Sequence, residues 1–362
     1  MSRTLRLVSI VLGGVLTGAV GLTIWAMTGS DSGTTSTMGA VGVDTTATTS
    51  TSASVSTTTA PSTTTTTLPE QGWLVIQGTG DVNLDPGYIP ALAVEGWDHA
   101  WSGLDGLFFE DDLTVINLEC APSALGIPND KEFVFRCPPE ALPSLAANGI
   151  EVANLGNNHS GDYGKEALID GRANVIAAGA FPVGAGANAE EAAAPAFFEI
   201  GEWKVAVLGF GGVVGGPSWF ATDDLAGVRD GDNIPSMVAA VKAAAAQADL
   251  VVVAIHWGVE LETSPHPEDV ERAQAMIEAG ADIIFGHHPH RLQPLEMIEG
   301  KPVFWSLGNF VWPNFSVAGS TTAVARVVVS PDGTIEGCLI PAMIESPGHP
   351  VLTGEPSCAP PS

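Results

Sequence analysis

Positive charge is what this chain has least of. Only 13 Lys and Arg stand against 41 Asp and Glu, a formal net charge of −28 over 362 residues. A surface so acidic repels phosphate backbones and anionic headgroups, which excludes nucleic acid and anionic lipid as surface-bound partners. An anionic substrate would have to be held by metal ions, since few cationic side chains are available for it. The same acidity also suits a simple solubility role in a salty habitat. Cysteine is scarce as well, four in all and none in C-x-x-C spacing, which argues against a cysteine-bound zinc. No internal repeat is evident.

The few charges near the N-terminus carry information by their placement. Arg3 and Arg6 precede an uncharged stretch from Leu7 to Met27, long enough to cross a bilayer as a helix at about 1.5 Å per residue. A cleaved signal peptide is the rival reading, but Trp25-Ala26-Met27-Thr28 makes a poor cleavage site. Residues 1–27 are therefore expected to be a retained single-pass membrane anchor, N-terminus cytoplasmic and main domain extracellular. Residues 28–71 are almost wholly Ser, Thr, Ala and Gly and cannot bury enough apolar surface to offset their ordering entropy, so a disordered linker is expected there. The folded domain is expected over residues 72–345, with a C-terminal tail at 346–362. All four cysteines lie in this outer part. In an oxidising compartment an even count suggests two disulfides, and the pairs closest in sequence, Cys120–Cys137 and Cys338–Cys358, lead the three connectivities. The alternative is four free buried thiols.

From Trp73 onward, apolar runs alternate with Ala-rich helical stretches, which predicts an α/β fold with its sheet covered on both faces. Helices are expected from Gly164 to Ala178, from about Ile234 to Gln247, and from Pro267 to Ala279 with a stop at Gly280. Near the end, Thr321 to Val329 and Thr334 to Ile340 alternate like antiparallel strands around Pro331-Asp332-Gly333, closing one side of the sheet.

Polar residues gather where the strands should stop. The exits are Gly80-Asp81-Val82-Asn83, Asn117-Leu118-Glu119, Asn157-Asn158-His159 with Asp162 close behind, His256-Trp257-Gly258-Val259-Glu260, and Ser306-Leu307-Gly308-Asn309. The densest follows Ile283-Ile284-Phe285: of eight histidines in the chain, His287, His288 and His290 fall within four positions, followed by Gln293. Loops at the carboxyl ends of strands share one rim of an α/β sheet, so these exits imply one composite site. Each has a plainer reading alone: a strand-capping turn at Gly80-Asp81, a helix entry capped by Asn at 157–159, a packed His256, a surface turn at His287–His290. Glu119 resists one, because a carboxylate at the mouth of a buried strand needs positive charge nearby. Carboxylate, amide and imidazole together suit two adjacent divalent ions, Mn, Fe or Zn, with a bridging carboxylate. His159 then stands ready to protonate a leaving oxygen.

Taken with their spacing, Gly80-Asp81, Asn117-Leu118-Glu119, Asn157-Asn158-His159-x-x-Asp162-x-Gly164, His256-Trp257-Gly258-x-Glu260, Gly286-His287-His288-Pro289-His290-x-x-Gln293-Pro294 and Ser306-Leu307-Gly308-Asn309-Phe310 resemble the CapA family of capsule poly-γ-glutamate biosynthesis proteins, also called PgsA, from about Trp73 to Phe315. The resemblance implies a branch of the calcineurin-like metallophosphoesterases, a four-layer α/β/β/α sandwich with a two-metal centre. It implies metal ligands at Asp81, Glu119, Asn158, His256, His288 and His290, and a catalytic pair in His159 and Asp162. Asn83, Asn117, Asn157, Glu260, His287, Gln293 and Asn309 would support them. Asn83 replaces the histidine of the usual Asp-x-His, and Glu119 the usual bridging aspartate. Implied partners are an anionic envelope polymer or phosphoester substrate and membrane polyglutamate synthase subunits. A general phosphoesterase, or a non-catalytic subunit that binds polymer or synthase, are the competing functions.

Overall fold

The computed structural model describes Ser9–Ile10 and residues 71–361. Ser9 and Ile10 form a short strand beside Phe198 and Glu199. The rest of the expected anchor, and the linker up to residue 70, lie outside the described residues. Among the described residues no helix is long and apolar enough to cross a membrane.

Two large sheets are built from the predicted runs. One orders its seven strands Ser9–Ile10, Ala196–Ile200, Trp203–Gly211, Leu250–His256, Ile283–His287, Lys301–Phe304, Leu295–Ile298. The other has eight: seven in the order His349–Leu352, Ile335–Ser346, Thr321–Val329, Leu74–Val82, Leu113–Leu118, Val152–Asn154, Phe181–Val183, and an eighth, Asn309–Val311, also paired to Leu74–Val82. Strands buried on both faces are apolar along their whole length, and Leu250–His256 illustrates it: it lies parallel to both neighbours, with Val252 opposite Val207 and Ile283.

The sheets face each other across a core that includes Ile76, Val115, Val207, Val252, Phe285 and Val327. Outside the first sheet, Met237 and Val241 of helix Ile234–Ala245 and Met276 of helix Pro267–Ala279 pack on Leu208, Val253 and Ile284. Outside the second, Leu145, Leu168 and Val175 pack on Ile116, Leu118 and Ala153. The result is a mixed α/β, sheet-rich fold in which two facing sheets carry helices on their outer sides.

Helix ends follow the local chemistry. Pro267 opens its helix, and Gly280, with φ 112°, terminates it in the left-handed conformation. The helix expected to reach Gln247 ends at Ala245, and the one expected from Gly164 to Ala178 spans Lys165–Ala177. The C-terminal hairpin does more than close an edge. Thr321–Val329 lies directly against the central strand Leu74–Val82, and its partner runs on to Ser346. Residues beyond 345 are part of this sheet rather than a tail: His349–Leu352 is its edge strand, and Cys358 is bridged to Cys338, Cα to Cα 5.9 Å. Cys120 and Cys137 form the other disulfide, Cα to Cα 5.6 Å.

Candidate metal centre

The carboxyl ends of strands from both sheets meet on one rim, and the rim carries the polar residues. Asp81 is the penultimate residue of Leu74–Val82, Glu119 follows Leu113–Leu118, His256 ends Leu250–His256, and His288 and His290 follow Ile283–His287. Two glycines allow the approach. A Cβ at Gly80 would lie 2.0 Å from the Gly308 carbonyl, and the same crossing lets Asp81 N donate to that oxygen at 2.8 Å. A Cβ at Gly286 would lie 2.1 Å from the Trp305 carbonyl. Glycine is needed there for close packing of backbones, directly beside the candidate ligands.

All six residues expected to bind metal come together. Glu119 Oε1 is 3.6 Å from His256 Nε2 and 3.9 Å from His290 Nε2. Asp81 Oδ2 is 3.1 Å from His290 Nδ1, and Asn158 Oδ1 is 2.9 Å from His256 Nε2. Two triads have ligand atoms within 4.8 Å of one another: Asp81, Glu119 and His256, and Glu119, His288 and His290. Glu119 belongs to both. Both Glu119 carboxylate oxygens and His288 Nδ1 are buried without a hydrogen-bond partner, and Asp81 Oδ2 and His290 Nδ1 face only each other at 3.1 Å. Buried polar atoms are seldom left so, and such a concentration fits divalent cations as the missing partners.

The electrostatics agree. Burial and the neighbouring Asp81 charge hold the Glu119 carboxyl well above its usual range. Burial works in the same sense on Asp81, but the His290 ring and the Asn117 amide outweigh it and lower its pKa. Burial, reinforced by the other rings, pushes His288 down to about 4 and His256 well below its usual value. The His256 and His288 rings are thus neutral and can donate lone pairs, while the Glu119 carboxylate lacks a counter-charge. A divalent ion corrects both at once.

The supporting residues divide by what they touch. Asn117 Nδ2 lies 2.9 Å from Asp81 Oδ1 and 3.2 Å from His256 Nδ1, tying a ligand of each sheet together. Asn157 accepts from the backbone N–H groups of His159 and Ser160 and donates to the Leu118 carbonyl, which shapes the turn. His287 faces away from the ligands' atoms: its Nε2 lies 2.9 Å from the Thr79 carbonyl and its Nδ1 3.3 Å from that of Ile255. Gln293 ties down the loop at Glu262 and Ser264. Asn309 donates to Gly319, and Glu260 is exposed on the lining of an adjacent cavity. Asn83 Oδ1 accepts from Asp85 N at 2.8 Å, so its oxygen is engaged in a turn.

His159 sits beside the triads, its Nε2 3.9 Å from Glu119 Oε1. Its Nδ1 is 2.8 Å from Asp162 Oδ2, which also accepts from Phe135 N at 2.7 Å. Burial lowers the His159 pKa, with Asp162 pulling the other way. Three neighbours escaped the sequence reading. Lys131 pairs with Asp162 and donates to the Asn158 carbonyl at 2.9 Å. The Phe135 ring lies 4.3 Å from that of His159, and the Trp312 ring 4.8 Å from that of His290. No pattern in the sequence pointed to Lys131 or to the two rings.

Residues 75–314 match the family described as bacterial capsule synthesis protein PGA_cap. The chain belongs to that family. The match covers nearly the span over which the motifs resemble CapA, and that resemblance therefore holds. The PGA biosynthesis protein CapA of Bacillus subtilis (strain 168) is 34% identical over 209 residues, 57% of this chain and 54% of the relative. The capsule biosynthesis protein CapA of Bacillus anthracis is 33% identical over 220 residues, 60% and 53%. In Mycobacterium tuberculosis (strain CDC 1551 / Oshkosh), the protein named "Probable polyglutamine synthesis accessory protein MT0602" is 34% identical over 210 residues, 55% of each chain. This PGA_cap chain spans about half the length of the curated relatives it matches.

Proposed function

We propose that this PGA_cap chain acts in the biosynthesis or export of capsule poly-γ-glutamate or a related envelope polymer, and that its rim is a metal-dependent hydrolase site. In this reading residues 1–27 hold it at the cell membrane with the domain outside the cell; the uncharged run Leu7–Met27 behind Arg3 and Arg6 supports that, and the Ser9–Ile10 strand does not. The relatives' names support the polymer, and the name given to the mycobacterial relative supports association with a synthesis machinery, here membrane synthase subunits. The hydrolase reading is carried by one observation: two ligand triads share Glu119, and both oxygens of that shared carboxylate are buried without a hydrogen-bond partner.

Asp81, Glu119, Asn158 and His256 would hold one ion, and Glu119, His288 and His290 the other; the donor set suits Mn, Fe or Zn. Such ions supply Lewis-acid polarisation of a substrate oxygen and an acidified water near neutral pH. The chain's own residues do the rest. His159 Nδ1–H donates a hydrogen bond to Asp162, which fixes the ring and favours its cation, so that Nε2, once it has taken a proton from solvent, can pass it to the leaving oxygen. Lys131 neutralises Asp162, and Phe135 keeps water off the imidazole face. Elemental analysis of the full-length protein tests the centre: bound Mn, Fe or Zn is expected, and metal content unchanged by His288→Ala with His290→Ala would sink it.

A non-catalytic subunit with a structural cation site is the second reading, and Asn83 favours it, because its oxygen is taken by Asp85 N where a histidine ligand would stand. A well-folded His159→Ala protein that restores polymer output in a deletion strain would select this reading over hydrolysis.

A further inference from the structure

Two adjoining cavities open beside the metal centre. One, of ≈ 230 Å³, is lined by His159, His290, Arg291 and Trp312; the other, of ≈ 480 Å³, by Asp85, Glu132, Arg136 and Tyr163. They share Tyr88, Phe133 and Phe135 as common lining. The Phe135 ring is 4.6 Å from that of Tyr88 and 6.4 Å from that of Phe133, so the three form a ridge, and Phe133 at 52% exposure is its outer crest.

Arg136 stands at the far end of this ridge. Its Nη2 donates to the carbonyls of Leu125 and Gly126, and its Cζ lies 3.6 Å over the Tyr163 ring. These contacts hold the guanidinium in one orientation and leave its other edge without a partner. No carboxylate pairs with it among the described residues. Asp85, across the cavity, has both carboxylate oxygens engaged by the backbone N–H groups of Gly87 and Arg136. Asp85 and the exposed Glu132 are the acids lining this cavity, and neither forms an ion pair with the guanidinium among the described residues. A guanidinium fixed in place with no carboxylate bonded to it, in so acidic a chain, is a ready partner for an external anion.

We propose that Arg136, held on Tyr163, is a second anion subsite, which takes a group of the substrate lying one or more units away from the reacting bond. The ligand is an extended chain bearing successive anionic groups on apolar stems: one group at the metal centre, the stem over the Phe133 crest, the next on the free edge of Arg136. This rests on the reading of the centre given above. The anions are carboxylates or phosphodiesters, and the test separates them.

Binding is measured calorimetrically on the Mn(II)-loaded full-length protein with three probes: inorganic phosphate, tetra-γ-glutamate and a glycerol phosphate trimer. At least one oligomer should bind more tightly than phosphate, and whichever does names the anion. Arg136→Ala should weaken that oligomer about tenfold, as loss of one charge-assisted pair does, and leave phosphate unchanged. Arg136→Lys, with the charge but not the fork, should recover part of the loss. Phe133→Ala, at an exposed position that places no demand on folding, should weaken the oligomer about threefold. Oligomers that bind no better than phosphate, or that bind both variants as well as wild type, overturn the subsite. A protein that retains no Mn(II) but still loses oligomer affinity on Arg136→Ala keeps the subsite and removes the metal reading.

Discussion

Glu119→Gln distinguishes a structural carboxylate from a cation bridge by the sign of its effect. Both Glu119 oxygens are buried without a donor, and burial together with the Asp81 charge holds the carboxyl well above its usual range. In metal-free protein the side chain is therefore a liability, since an unsatisfied buried polar group costs about 1–3 kcal/mol. The amide keeps the shape and cannot carry the charge. At pH 8, chelated Glu119→Gln protein should be at least as stable as chelated wild type. With metal the order reverses. Free metal at about 1,000 times its Kd stabilises wild type by about 4 kcal/mol. For a domain of roughly 290 residues, unfolding with about 2.1 cal/mol/K per residue, that is a rise in Tm of about 7 °C. The variant, lacking the residue common to both triads, should rise by less than about 2 °C. Thermal unfolding of both proteins, chelated and then titrated with Mn(II), reads all four quantities. A chelated variant less stable than chelated wild type, or equal rises on adding metal, would refute the reasoning.

His159→Ala should lower phosphodiester or polymer turnover by about 10²–10⁴-fold while bound metal, by elemental analysis, stays as in wild type; parallel loss of metal would make His159 a ligand instead. Removing the Cys120–Cys137 bridge, which spans 17 residues, should cost about 3 kcal/mol and also depress turnover, because the closed loop carries Lys131 and Phe135 against His159. Removing Cys338–Cys358, which spans 20, should cost about as much stability and spare turnover, so unfolding and activity measured side by side separate the two. Burial raises Glu151 to about 7, so its neutral form is favoured on folding, and the stability it contributes is present below about pH 4.5 and lost as pH rises to about 7. Glu151→Gln should then gain on wild type by up to about 3 kcal/mol between pH 4 and pH 8, and a pH-independent difference in Tm would contradict this.

How much of this was legible in the sequence depends on the range of the interaction. Helix Pro267–Ala279 could be read to the residue because proline and glycine act on their own backbone. The rim could be read because strand exits in an α/β sheet share one side, so Asp81, Glu119 and His256 needed no strand order to be grouped. Strand order itself was not legible: the insertion of Thr321–Val329 against Leu74–Val82 is a long-range pairing that alternation alone does not specify. The same limit hid Lys131, Phe135 and Trp312. Their roles arise from contacts with His159 and His290 across many residues, and nothing in their local spacing marks them.

The geometry of the His288-Pro289-His290 turn lies beyond pattern in another way. His288 has φ 97° and His290 φ 53°, and Leu261 on the facing loop has φ 69°. Side chains other than glycine seldom adopt such angles, at about 1–3 kcal/mol each, and hold them only where the surroundings over-determine them. Here they do. Leu261 N donates to the Pro289 carbonyl, Trp257 N to the His287 carbonyl, and Gln293 Nε2 to the carbonyls of Glu262 and Ser264, so the two strained loops clamp each other. Glycine at either position would relieve the backbone and remove an imidazole. The chain instead keeps histidine in a conformation that suits glycine, at the two places where the ring nitrogens meet Glu119. Positive φ also occurs at Asp105 and Glu299, so strain alone is no marker; what sets this turn apart is that it brings two imidazoles to Glu119, as the proposed cation site requires.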